Sequence, residues 1–228
     1  MKSQHRRALA LGIVLLALGA ALLVLGAGIG STGFESVLDA RHDPVALQIV
    51  WDIRLPRTLG AWLAGALLGL AGAVAQGLFR NPLADPYLLG SASGASLGVA
   101  IALAMFGVSP TSTEWVVRLG LTGAAFLGAV LAVLLTLMLA RGVQQTLRLL
   151  LAGVIVGVVL GAAKDLITIA SADILQAIQG FTLGNTGLVG WSACAVMALA
   201  CALCLLLAWA LAPVLDGLAL GEIGRAHV

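Results

Sequence analysis

The chain has 228 residues, 61% of them hydrophobic and only 10% charged, with a mean hydropathy of +1.11. Soluble domains carry about 25% charge, so a water-soluble fold is excluded and an integral membrane protein is expected, with room for about six spans of roughly 20 residues and no soluble domain. A net charge of +2 with no basic block excludes nucleic acid as a partner.

Lys2, Arg6 and Arg7 precede an apolar run from Ala8 to Ile29. A signal peptide or a first membrane helix can begin this way, but the run exceeds the roughly 7 to 15 residues of a signal core, so a retained span is expected. Further apolar runs at roughly 58–78, 88–108, 117–140, 148–168 and 191–212 are each long enough to cross about 30 Å of hydrocarbon. The expected fold is therefore all-α and polytopic, with about six transmembrane helices. With the basic N-terminus inside, Arg80 and the loop 141–148 also lie inside, and residues 30–57, 107–118 and 169–190 lie outside. The outer segments hold Arg41, Arg54, Arg57 and Arg118, so the positive-inside bias is weak as a count. It is cleaner at the N-terminus and at 141–148, which carry basic residues and no acid.

Small residues recur every fourth position in four runs: Gly65, Gly69 and Ala73; Gly90, Gly94 and Gly98; Gly120, Ala124 and Gly128; Gly153, Gly157 and Gly161. Each set falls on one helix face and permits close backbone approach; together they predict a tightly packed multi-helix body. The segment from Ala170 to Gly190 is polar at its edges, apolar within and too short to cross, which suits a short outer-face or re-entrant helix.

Residues able to carry chemistry are scarce. His5, His42 and His227 lie outside the spans, so an intramembrane metal, haem or histidine relay has no support. Cys194, Cys201 and Cys204 share one apolar run and read as small hydrophobes; Cys201 and Cys204 have metal-like spacing but no second pair. Lys164 and Asp165 are adjacent, which points them to different helix faces. Near the outer end of their span they snorkel to the headgroups or, alternatively, serve a pathway. No Gly-x4-Gly-Lys-Ser/Thr phosphate loop is present, so ATP is not handled by this chain.

Two places are more specified. Arg54 and Arg57 flank Leu55-Pro56 where the second span begins; a spacing of three aligns both guanidinium groups along one helix edge, and Pro56 fits a first turn. They read either as interfacial anchors or as docking points for carboxylates of an external partner. The loop Arg80-Asn81-Pro82-Leu83-Ala84-Asp85-Pro86 carries two prolines, which end the second span near Asn81. Asp85 is then the expected N-cap of the third span, with Pro86 at its first position.

These residues resemble a known family. RLPRTL, the span ending Gln76-Gly77-Leu78-Phe79, the RNPLADP loop and LLGSASGASLG are similar to the permease subunits of type II ABC importers, which take up iron siderophores, haem and cobalamin. Arg148 to Gly153 fits the start of that family's fifth helix, and Leu218-Ala219-Leu220-Gly221-Glu222 resembles the opening of its coupling segment; the likeness runs from about Ile49 to Glu222. The resemblance implies a homodimeric permease of about ten helices per subunit in the bacterial cytoplasmic membrane, N-terminus cytoplasmic. Two ATPase subunits lie below and a substrate-binding protein above, with no cofactor in this chain. It assigns Arg54 and Arg57 to binding-protein docking, and Gln76, Thr146 and Leu147 to the gate or pathway. Leu147 departs from the serine often found there. The short helix around Asp173 to Gly180 is placed at the external mouth by the dimer axis. An ATP-independent secondary transporter is the alternative; it requires an intramembrane carboxylate, and Asp165 is the sole candidate.

The last residues, EIGRAHV, match what a common sequencing-adapter oligonucleotide encodes. The expectation is therefore that 1–222 is the N-terminal part of a single permease domain and 223–228 a non-native tail, in which Arg225 and His227 carry no function. A natural stop codon directly after Val228 in source DNA excludes this.

Overall fold

A hydrocarbon solvent leaves backbone N–H and C=O groups no partner outside the chain, so long apolar runs must fold as helices. The computed structural model describes residues 2–30, 33–34, 43–107, 115–140 and 146–219. In order these form α1 Lys2–Gly28, α2 Pro44–Ile49, a π-helical turn Val50–Arg54, α3 Leu55–Phe79, α4 Ser91–Phe106, α5 Trp115–Leu139, α6 Thr146–Ala170, a 3₁₀ turn Ala172–Ile174, α7 Leu175–Leu183 and α8 Trp191–Ala219. After α1, two-residue strands β1 Ile29–Gly30 and β2 Gly33–Phe34 pair antiparallel, Ile29 opposite Phe34. The all-α polytopic expectation holds, and the short helix expected within 170–190 is the 3₁₀ turn with α7. Arg41, His42, Leu220, Gly221, Glu222 and the tail 223–228 lie outside the described residues, as do most of the expected loops 107–118 and 141–148.

Five described stretches are long and apolar enough to cross a membrane: Leu9–Gly28, Pro44–Phe79, Val116–Leu139, Leu147–Ala170 and Trp191–Val214. The run expected to cross over 88–108 is shorter, because α4 has 16 residues. Gly90 (φ 78) and Gly107 (φ 58) flank it in the left-handed region, a backbone state that ends a helix and that glycine adopts without a Cβ clash. The second crossing also departs from expectation. Its helix begins at Pro44, where Asp43 Oδ1 accepts the Val45 N–H at 2.9 Å, an N-cap followed by proline at the first position. Pro56 is therefore the second residue of α3, one residue after the π turn, within a helical stretch that already began at Pro44.

The chain divides into two compact units. The first comprises Met1–Leu70 and Thr186–Ala210. Within it α1 lies on α3, with Gly19 against the Trp62 indole and Gly26 against Thr58. The second comprises Ala71–Asn185 and Leu211–Val228. Here Val99, Ala100 and Leu103 of α4 bury together with Ile174 and Ile178. The small-residue faces meet as backbone against backbone: Gly94 faces the Gly128 carbonyl, Gly98 the Ala124 carbonyl, and Gly153 the Leu88 carbonyl, while Gly157 lies beside Gly90 and Ser93. The pattern does not carry everywhere. A Cβ added at Gly65, Gly69, Gly120 or Gly161 would meet nothing within 4 Å, so among the described residues those positions make no close approach. Their spacing is the same; what differs is whether a neighbouring helix occupies that face.

Candidate functional site

The arginine pair lies where the helix changes winding. Arg54 is the last residue of the π turn and Arg57 follows Pro56 in α3. Their side chains engage different partners. Arg54 is half-buried, with Nη1 3.5 Å from the Gly28 carbonyl, whereas Arg57 is exposed and its Nε donates to the Gly187 carbonyl at 2.8 Å. Arg54 closes the π turn, and each guanidinium leans on a different stretch of backbone, Gly28 and Gly187. The first turn of α8 also reaches the same turn. Trp191 Nε1 donates to the Trp51 carbonyl at 3.0 Å, its ring 5.1 Å from that of Trp51, and Cys194 Sγ donates to the Pro56 carbonyl at 3.2 Å.

The loop after α3 is built almost entirely from local hydrogen bonds. Arg80 takes φ 51; its N–H donates to the Gly77 carbonyl and that of Asn81 to the Gln76 carbonyl. This is a Schellman ending with arginine in the left-handed position usually held by glycine. Two Asx turns follow: Asn81 Oδ1 accepts from Leu83 N–H at 2.9 Å and Asp85 Oδ1 from Tyr87 N–H at 2.6 Å. Asp85 thus caps a turn, and the N-cap of α4 is Gly90, because Pro86 to Leu89 is spent on a further turn in which the Leu88 N–H bonds to the Asp85 carbonyl. Ala84 is buried against Phe79 with Leu149 and Leu150 alongside, while Arg80, Asn81, Pro82 and Leu83 are exposed, Leu83 to 88%. Thr136 of α5, fully buried, donates its hydroxyl to the Leu89 carbonyl at 3.0 Å. Arg80→Gly is expected to stabilise the chain by about 0.5 to 1 kcal/mol, the left-handed strain removed less glycine's extra unfolded freedom. Thermal unfolding in detergent measures it; a loss of stability would show that the Arg80 side chain contributes more than its backbone strain costs.

A model of the FecCD transport family matches residues 12–226. The chain belongs to the FecCD transport family. It is 41% identical over 150 residues to the ABC transporter permease protein YvrB of Bacillus subtilis (strain 168), an overlap covering 66% of this chain and 42% of that protein. It is 42% identical over 143 residues to the vitamin B12 import system permease protein BtuC of Escherichia coli (strain K12 / DH10B), covering 62% of this chain and 42% of that one. A solved chain, described as an inward-facing conformation of a metal-chelate type ABC transporter, superposes with a TM-score of 0.79 at 27% identity, covering 94% of this chain and 66% of its own. The chain thus spans about two fifths of the length of these curated relatives.

The remaining candidates of this FecCD chain fall apart from one another. Gln76 is exposed in the last turn of α3, with its carbonyl engaged by Asn81. Thr146 opens α6, and Leu147 beside it is exposed. Lys164 Nζ and Asp165 Oδ1 pair at 2.7 Å, the flexible lysine stem reaching a neighbouring carboxylate. The cysteines also differ from one another. Cys194 is buried, but Cys201 is half-exposed and Cys204 exposed. Among the described residues no cluster of His, Cys, Asp or Glu could hold a metal ion. An apolar hollow of about 420 Å³ between α4 and α5, lined by Leu97, Ile101, Phe106, Leu127 and Leu131 among others, offers no polar group to orient a ligand. Residue spacing did not single out Trp51, Trp191 or Thr136. The tryptophans had a signal, since each flanks an apolar run where interfacial indoles collect; a threonine inside an apolar helix has none.

Proposed function

We propose that this chain is permease material of a binding-protein-dependent ABC importer that moves an iron chelate, haem or cobalamin across the bacterial cytoplasmic membrane. Membership of the FecCD family over nearly the whole chain is the observation that carries this reading, and the names of the relatives support cobalamin or a metal chelate as the cargo class. The permease is not an enzyme; partner ATPase subunits hydrolyse ATP below a permease homodimer, and a binding protein delivers cargo above. In this arrangement the N-terminus is cytoplasmic, Arg54 and Arg57 meet carboxylates of the binding protein, and the Arg80–Pro86 loop faces the ATPase side. Gln76, Thr146 and Leu147 line the gate, and Leu220, Gly221 and Glu222 open the coupling segment.

Transport by alternating access follows only if nucleotide and binding protein each prefer one permease state. A secondary transporter requires a carboxylate free to exchange ions in the membrane, and the sole candidate, Asp165, is engaged with Lys164. Co-purification separates the two readings. A permease carrying this sequence, expressed with its neighbouring genes, is expected to bring an ATPase subunit with it in stoichiometric amount. Recovery of the permease alone, with uptake that persists when ATP is depleted, would reject the importer.

A further inference from the structure

The π turn at Val50–Arg54 poses a hydrogen-bond problem that local sequence does not solve. In π winding each N–H reaches back five residues, and the Leu55 N–H indeed donates to the Val50 carbonyl. The next donor in that register belongs to residue 56 and would serve the Trp51 carbonyl, but Pro56 has no N–H. The Trp51 carbonyl is therefore left without a helical donor. Trp191 fills this vacancy from the far end of the sequence, its Nε1 donating to the Trp51 carbonyl at 3.0 Å. The same face is held twice more, by Cys194 Sγ on the Pro56 carbonyl and by Arg57 Nε on the Gly187 carbonyl. Gly60 approaches Val189 so closely that a Cβ there would lie 2.6 Å from Cγ1.

We infer that Trp191 is the positioning residue of the arginine pair: its indole N–H replaces the hydrogen bond that Pro56 cannot make, and so fixes the π turn that carries Arg54. The replacement is chemical and not merely steric, because the bond runs to the one carbonyl that proline orphans in π register. The ring of Trp51 lies at a 40° tilt to that of Trp191, centroids 5.1 Å apart. Arg54, at the end of the turn, inherits its direction from this bond, and Arg57 is tied to the same strut through Gly187. The consequence for docking rests on the role proposed above for Arg54 and Arg57; the hydrogen bond itself does not.

The test is a double-mutant cycle in a permease carrying this sequence, reconstituted in nanodiscs and read by amide exchange over residues 54–58. Trp191→Phe keeps a ring against Trp51 and removes only the donor; exchange is expected to quicken about threefold to tenfold. Pro56→Ala restores an N–H at residue 56, so in that background Trp191→Phe is expected to have less than half this effect. Equal acceleration in both backgrounds would mean that Trp191 acts by packing alone and would overturn the inference. Unchanged exchange in Trp191→Phe would overturn it too, since water would then serve the Trp51 carbonyl equally well. Affinity for the binding protein encoded beside the permease is measured on the same samples. If exchange responds as expected while affinity does not, the positioning role stands and the docking role of the arginines is rejected.

Discussion

Replacing Gly94 by leucine is expected to force α4 and α5 apart and to destabilise the chain by about 3 kcal/mol or more. The size follows from what the side chain would strike. Even the first added carbon meets the Gly128 carbonyl and the Ala132 methyl, and a carbon added at Gly128 meets the Gly94 carbonyl in return. Backbone cannot step aside as a flexible side chain can, so the helices must separate along their length. Membrane helices gain little from lipid exclusion and rely on such close packing, which makes a lost contact hard to replace. Gly65→Leu is the control, since a carbon there meets nothing within 4 Å. Thermal unfolding in detergent of both variants decides the matter: equal midpoints would show that the α4–α5 approach contributes no stability.

Reversing the charge of the arginine pair, Arg54→Glu with Arg57→Glu in an assembled permease carrying this sequence, is expected to weaken docking of the binding protein about 30-fold or more. Turning two attractive contacts into repulsive ones at an interface typically costs 2 kcal/mol or above. The loss should shrink as salt rises, because rim charges are screened over about 8 Å at physiological ionic strength. The structure adds a condition. Arg57 also holds the Gly187 carbonyl, so Arg57→Gln, which can still donate there, separates lost charge from lost anchoring. Docking affinity by surface plasmon resonance reads the effect, with co-purification of the ATPase subunit confirming assembly. Undiminished affinity at physiological salt rules out the proposed docking role.

The loop and the helices around it were legible because their determinants are local. Pro82 bars helix at Asn81, and α3 ends two residues before it, at Phe79; Asn81 and Asp85 both close turns through their own side chains. The start of the second crossing was misplaced because Pro56 resembles a first-turn proline, while the cap that begins the helix is Asp43-Pro44. Nothing near Pro56 in sequence announces a π turn, since the residue that completes it, Trp191, lies 140 positions from Trp51. The glycine repeats show the same limit. Gly65 and Gly94 have identical patterns, yet only Gly94 meets a neighbour, and that is a property of the neighbour's position. The Lys164–Asp165 pair was not foreseen for another reason: spacing rules describe where Cβ points, not how far a lysine stem reaches.

A helix of 16 residues rises about 24 Å at 1.5 Å per residue, some 6 Å less than a typical hydrocarbon core. With its ends fixed by left-handed glycines, α4 cannot lengthen by winding up adjacent turns. Were α4 to span that core, the bilayer would have to dimple there or the polar turns at its ends sink, either at a fraction of a kcal/mol per ångström. Thr136 caps the Leu89 carbonyl at one of those ends from within α5, which makes an inward-sunk turn affordable there. A spanning α4 is expected to make the protein sensitive to lipid chain length, thinner bilayers relieving the mismatch and thicker ones loading it onto the loop that follows α3.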